Sequence, residues 1–167
     1  GEGIFNYTAN LAIGGPTVFQ NIAVKVGTSS GAWIMLRTAG NSLTFGEGVT
    51  KASGSASINL TAGANVSGKD IELKLLSGSF NSVYVGSYSD SAITINKTNV
   101  LIGQGVSVSL LTVGANGAGL CTFEGDTAIT VNGDLKEMVY TTKGPKPVFN
   151  GAITLLYNPG LYRLYEI

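Results

Sequence analysis

The stretch DIELKLLSGSFNSVYVGSYSDSAITINKTNVLIGQGV, residues 70–106, decides the fold. Its apolar residues fall in short alternating runs, Ile71-Leu73-Leu75, Val83-Val85, Ile93-Ile95 and Val100-Ile102, separated by Gly, Ser and Asn. Period-2 alternation sets one face of each run against a core. The Gly, Ser and Asn between runs are the residues that let a chain turn sharply. The stretch reads as one coil of a repeating β structure, and the rest of the chain as more turns of the same coil.

Composition points the same way. The 167 residues suffice for one domain with a sizeable core. Gly accounts for 24 of them and charged residues for only 12%, against a usual charged share of about 25%. With 44% hydrophobic residues the chain is not of disordered composition. Low charge with abundant Val, Ile, Gly, Ser and Thr is a β composition, and no long stripe of period 3.6 competes with it. Ten basic and ten acidic residues cancel, so no long-range field draws the chain to nucleic acid or to anionic lipid. Lys143 and Lys146 are the nearest thing to a basic cluster. No run nears the roughly 18 apolar residues of a membrane-spanning helix. The chain starts Gly1-Glu2-Gly3 and ends on apolar alternation, Leu161-Tyr162-Arg163-Leu164-Tyr165-Glu166-Ile167. Both features suit a piece of a longer protein, and the latter also suits a closing strand.

Echoes run along the chain. Residues 11–13 and Gly14-Gly15-Pro16 read as an opening strand and turn. Residues 17–26, with Val18, Ile22, Val24 and Val26 on one face, read as one strand, and residues 27–31 as a loop. Asn41-Ser42-Leu43-Thr44-Phe45-Gly46-Glu47-Gly48-Val49 parallels Asn99-Val100-Leu101-Ile102-Gly103-Gln104-Gly105-Val106. Ala92-Ile93-Thr94-Ile95 parallels Ala128-Ile129-Thr130-Val131 and Ala152-Ile153-Thr154-Leu155, with Ser57-Ile58-Asn59-Leu60 as a weaker copy. The Ile starts at 58, 71, 93, 129 and 153 are unevenly spaced. The long step from Ile93 to Ile129 predicts an insertion at the Gly-rich residues 114–119, and the short step from Ile58 to Ile71 predicts two strands of one coil. Stacked coils bury every inner face by pairing strand on strand in parallel. The fold class expected is therefore all-β, a single-stranded right-handed parallel β-helix over residues 1–167. A β-sandwich or jelly roll is the alternative, since it too has short strands and Gly turns.

Three segments also carry a family likeness. Gly15-Pro16-Thr17-Val18-Phe19-Gln20-Asn21-Ile22, Leu43-Thr44-Phe45-Gly46-Glu47-Gly48-Val49 and Ser77-Gly78-Ser79-Phe80-Asn81-Ser82-Val83-Tyr84-Val85-Gly86-Ser87 resemble, in that order, Gly-rich right-handed parallel β-helix segments of large secreted and surface proteins of gut bacteria. The resemblance covers about residues 14–133. It implies a right-handed β-helix, an extracellular or cell-surface location, and a mostly unassigned function. Residues 134–167 depart from the pattern and are expected to be a C-terminal cap or the start of a following domain.

Chemistry is sparse. Gly63-Ala64-Asn65-Val66-Ser67-Gly68-Lys69-Asp70 nearly spells a phosphate-binding loop, but Asp70 replaces the hydroxyl residue that holds Mg²⁺, and the alternation of residues 71–75 denies it the helix it must open. Gly-Glu-Gly and Gly-Gln-Gly lack the third Gly of a dinucleotide fingerprint. Gly125-Asp126 and Gly133-Asp134 are isolated, whereas calcium β-rolls repeat such pairs; corner turns explain them. No cofactor and no metal site is expected. With no His in the chain, Cys121 lacks the usual base for a nucleophile and reads as a buried small hydrophobe. Trp33 reads as core or a capping contact.

Polysaccharide-cleaving β-helices need acidic and basic groups that converge on one wall. Glu47, Asp70, Glu72, Lys74, Asp90 and Lys97 are the candidates, with Glu72 and Lys74 on one strand face as a solvated ion pair. Of the tyrosines 84, 88, 140, 157, 162 and 165, Tyr84 and Tyr88 are the candidate glycan contacts. The expected function is a structural or adhesive module of a bacterial surface or secreted protein, not an enzyme, with a glycan or a host surface protein as partner. A polysaccharide-active enzyme and a phage or virion surface component are the alternatives.

Overall fold

The computed structural model describes residues 3–27, 34–141 and 144–157. Every strand pairing in them is parallel, and no helix occurs among them. The chain winds in stacked coils. The first holds β1 (Ile4–Tyr7), β2 (Leu11–Ala12) and β3 (Thr17–Phe19); the second β4 (Ala23–Val26), β5 (Met35–Arg37) and β6 (Leu43–Phe45). The third holds β7 (Thr50–Lys51), β8 (Asn59–Ala64) and β9 (Lys69–Leu75); the fourth β10 (Gly78–Ser87) and β11 (Ile93–Ile102). The fifth holds β12 (Val106–Ala115), β13 (Cys121–Phe123) and β14 (Thr127–Val131); the last β15 (Asp134–Tyr140), β16 (Val148–Phe149) and β17 (Ile153–Tyr157). Three sheets line the solenoid. Sheet A is β1-β4-β7, sheet B runs β2-β5-β8-β10-β12-β15, and sheet C runs β3-β6-β9-β11 and then splits over β13/β16 and β14/β17. The parallel stacking establishes the β-helix and excludes the antiparallel sandwich.

The inner face is built from rows of aliphatic residues in register. Along sheet B one row is Leu11, Leu36, Leu60, Val83, Leu111 and Met138. Along sheet C another is Phe45, Leu75, Ile102 and Val131, all fully buried. At the N-terminal end the interior is filled by rings: Phe5 on Phe19 at 4.8 Å, Phe19 on Phe45 at 5.1 Å and Phe45 on Phe80 at 5.0 Å between centroids. Burying a large apolar side chain gives about 1.5–3 kcal/mol, and stacking repeats that gain at each coil.

The register sets the repeat. Leu73 pairs with Val100, Val100 with Ile129 and Ile129 with Leu155, steps of 27, 29 and 26 residues. Residues 70–106 therefore span more than one coil, reaching from sheet C round to the next pass through sheet B. The echo 41–49 against 99–106 falls on equivalent positions two coils apart, through Phe45, Leu75 and Ile102. Ile58 and Ile71 do sit in one coil, just before β8 and within β9. The Ile93–Ile129 step is not an insertion. Ile93 pairs with Cys121, while Ile129 pairs with Val100. The first Ala-Ile-Thr motif opens β11, while the second lies in β14 and pairs with the other half of β11, beyond the bend at residues 96–97. Nor are residues 17–26 one strand. They turn a corner at Asn21, whose φ of 50° is left-handed. Parity flips there, so Phe19 and Val24 point in while Val18 is exposed. Residues 134–157 continue the ladders of residues 106–131. Trp33, Lys143, Tyr162 and Tyr165, residues 28–31 of the expected loop and the terminal alternation from Leu161 lie outside the described residues.

One row admits only glycine. Gly63, Gly86 and Gly114 stack in register where sheet B bends away. A Cβ on Gly63 would lie 1.6 Å from the Gly86 carbonyl oxygen, and one on Gly86 would lie 1.6 Å from that of Gly114. Gly86 and Gly114 also have φ of 151° and 131°, which L side chains avoid. Threonines end the row. The Gly63 N–H donates to Thr38 Oγ1 at 2.9 Å, and Thr141 Oγ1 accepts from Ala115 N–H.

Two outcomes test this packing. Gly86→Ala should lower unfolding stability by about 3 kcal/mol or more, because backbone on the next coil must move, whereas Gly14→Ala, with nothing within 4 Å of the added carbon, should change it by less than about 0.5 kcal/mol; denaturant unfolding measures both. Burial also pushes the Tyr7 phenol up to about 12 from its ordinary 10.0. The fold thus favours the neutral phenol, and this contribution is complete below pH 10 and lost as pH rises to 12. Stability should fall across that window by at most about 2–3 kcal/mol, and Tyr7→Phe should flatten the fall.

Candidate functional site

Asp70 and Asp90, two of the charged residues that the sequence offers as catalytic candidates, sit with other polar groups at the corners. In this fold they hold neighbouring coils together. Asp70 Oδ1 accepts from Lys97 N–H at 3.0 Å, Asp90 Oδ1 from Ala118 N–H at 3.1 Å and Asp126 Oδ1 from Ala152 N–H at 3.0 Å. Asn150 Nδ2 donates to Glu124 Oε1 at 2.9 Å. Asn10, Ser55, Ser67 and Ser77 receive backbone N–H groups in the same way. Each of these bonds spans 25 to 29 residues, about one coil. Asp, Asn and Ser at the corners thus take up backbone N–H groups of the adjacent coil.

Of the six charged candidates, Asp70, Glu72 and Lys74 alternate on the exposed outer face of β9 and Lys97 lies beside them on β11, while Glu47 and Asp90 sit at corners. Glu47 lies at the corner after β6, Glu72 and Lys74 are exposed on the outer face of β9, and Asp90 lies in the turn between β10 and β11. Lys97 sits at the bend of β11 beside Asp70, which its own N–H engages. Among the described residues no three His, Cys, Asp or Glu side chains converge as a metal site would need. The near phosphate loop, residues 63–70, closes β8 and opens β9. Gly63 belongs to the glycine row, and Gly68 turns the corner at φ 87°. Cys121 is fully buried. Burial pushes its thiol up.

The most differentiated surface is the outer face of sheet B. One outward row runs Arg37, Thr61, Tyr84, Thr112 and Val139 across five coils. Tyr84 is half-buried between Thr61 and Thr112, whose hydroxyls are enclosed without a hydrogen-bond partner. Tyr88 follows four residues on, and the Arg37 guanidinium carbon sits 4.9 Å from its ring centroid. Burial raises both phenols above their ordinary pKa; at Tyr88 the Arg37 charge pulls the other way. The two sequence-predicted tyrosines are therefore brought onto one face, and Tyr88 already carries a cation on one side of its ring. Arg37 has no motif around it. Only the register, which sets β5 two strands from β10, reveals it.

Beside this row, where β7 gives way to β8 and β10, lies an open cleft of about 120 Å³ lined by Lys51, Ser57, Ile58, Ser79, Phe80, Asn81 and Ser109. Its rim is mainly hydroxyl, amide and ammonium groups, with Asn81 Nδ2 donating to Asn59 Oδ1 at 3.0 Å. Asn81 and Tyr84 are three residues apart on one strand, about 10 Å. Flat rings next to a polar cleft can stack on a sugar and bond its hydroxyls. Farther along, Lys146 lies over the Tyr140 ring at 4.3 Å, and Tyr157 is exposed at the last coil.

Comparison with protein-family models, with curated proteins and with solved structures finds no match to this chain in any of the three.

The clamp role of the aspartates is directly measurable. Asp126→Ala should cost about 1 kcal/mol of stability through the lost acceptor. Asp126→Asn keeps an oxygen in place and should recover at least half of it, as read from thermal melts at pH 7.

Proposed function

We propose that this protein is a structural β-helix module of a secreted or cell-surface bacterial protein, which displays the outer face of sheet B to a glycan partner. One observation carries the proposal: Asp70, Asp90, Glu124 and Asp126 are engaged in clamping coil to coil, while Arg37, Tyr84 and Tyr88 gather on the outer side of sheet B. Such a solenoid is stiff, because each coil is tied to the next by backbone ladders, by inner apolar rows and by corner side chains. Six strands in sheet B spaced by about 4.8 Å make a face about 24 Å long, enough for several sugar units. Tyr84 offers a ring, Arg37 a cation and the cleft of Lys51, Ser57 and Asn81 the hydrogen-bonding groups. Its shallow, solvent-open form suits millimolar binding, about −4 kcal/mol, of the kind that surface proteins multiply through repeated copies.

The test is a titration of isotope-labelled protein with a panel of neutral and acidic polysaccharides, followed by amide shifts. Shifts should cluster on residues 79–88 and 109–112, and Tyr84→Ala should weaken binding at least about fivefold, roughly 1 kcal/mol, with the fold intact. Shifts that cluster elsewhere, or an unchanged affinity in Tyr84→Ala, would remove the site from this face. New reducing ends or unsaturated products would replace the structural reading with a polysaccharide-cleaving one.

A further inference from the structure

Among the described residues, Arg37 has an aromatic partner and no acidic one. It is half-buried in the outward row of sheet B, between Ala12 of β2 and Thr61 of β8. Its Nε is enclosed without a hydrogen-bond partner, and its guanidinium rests on the Tyr88 ring rather than on a carboxylate. A cation–π contact gives about 0.5–2 kcal/mol, whereas a charge drawn out of water is ordinarily paired. Tyr88 feels that charge, which pulls its phenol down against the rise that burial causes.

No acid shares the row, whose other members are Ala12, Thr61, Tyr84, Thr112 and Val139. The row beside it holds Glu137, but on β15, four strands from β5 and so about 19 Å away. Beyond the row, Asp70 and Asp90 each accept a backbone N–H group, from Lys97 and Ala118. Lys69, whose stem lies against Gly40, adds positive charge at the corner after β5. On either side of Tyr84, Thr61 and Thr112 are 0% and 1% exposed, and their hydroxyls have no partner. Buried polar groups are ordinarily satisfied. The Arg37 guanidinium and both hydroxyls can donate, so the partner that completes them is an oxygen acceptor, and the Arg37 charge favours an anionic one.

We propose that Arg37 makes the outer face of sheet B selective for acidic glycans: its guanidinium receives the carboxylate of a uronic acid or the sulfate ester of a sulfated sugar, while a neighbouring sugar stacks on Tyr84. The inference rests on the glycan reading above and names its ligand class. Carboxylate and sulfate both present at least two oxygens to the fork of guanidinium N–H groups. Arg37 and Tyr84 stand two strands apart, about 10 Å, so the charged sugar and the stacked one are different units of one chain. The Thr61 hydroxyl lies between them in the row and meets the sugar when the flanking Arg37 and Tyr84 side chains move onto it. Tyr88 holds the guanidinium against the sheet, which lowers the entropy lost on binding.

The test titrates the isotope-labelled whole chain with neutral dextran, an oligogalacturonate and a sulfated dextran at equal ionic strength. The Arg37 Nε–H signal and the amides of residues 79–88 are followed separately. At least one acidic polymer should shift both and bind about fivefold or more tighter than dextran, and the two acidic arms tell carboxylate from sulfate. Arg37→Met keeps the stem and should abolish the difference with the amide spectrum otherwise unchanged; Arg37→Lys should restore only part of it. Lys74→Ala removes a like charge from the outer face of sheet C and should leave the preference intact. An affinity no higher for either acidic polymer, a preference that survives Arg37→Met, or an equal loss in Lys74→Ala would overturn the inference, and binding at residues 79–88 would still leave the glycan face standing. No amide shift on sheet B with any of the polymers would overturn both.

Discussion

Parallel, in-register stacking of one coil on the next is the constraint from which the rest of this structure follows. A parallel ladder satisfies the backbone groups of each strand only through its neighbours above and below. The same contact sets like side chains on like. Leu36, Leu60, Val83, Leu111 and Met138 form one buried row because their strands are aligned, and sliding any strand by a single residue would turn its apolar set outward. Register and burial therefore enforce each other.

The corners obey the same constraint. A corner in a solenoid sits directly over another, about 4.8 Å away, so bulk added at one is felt at the next. Gly63, Gly86 and Gly114 meet carbonyl oxygens where a Cβ would stand. Where space allows a side chain, Asp, Asn and Ser point along the axis and take up backbone N–H groups of the adjacent coil. What stays free to vary is the outward face of the strands, and there Arg37, Tyr84 and Tyr88 gather.

Adjacency in this fold is adjacency across coils, not along the chain. Arg37 and Tyr88 are 51 positions apart and nonetheless form a cation–π pair. A surface built this way can change one strand at a time without disturbing the core behind it, since outward rows and inward rows share only the backbone.

The sequence by itself determined the class of structure and much of its interior. Short alternating runs such as Ile71-Leu73-Leu75 and Val100-Ile102, with Gly, Asn and Ser between them, are the local requirements of stacked β coils, and those residues are the buried ones. The burial of Cys121 and the turn-then-strand character of residues 63–75 were legible on the same local grounds. Tyr84 and Tyr88 could be picked out as aromatic, but not their surroundings. Only the tertiary structure decided the coil length, the corner at Asn21, the bend of β11 at residues 96–97, and the neighbours of each side chain. Those depend on which residue lies above which. A single strand carries its own period of two, but not the offset to a partner some 27 residues away; that offset exists only once the coils are stacked.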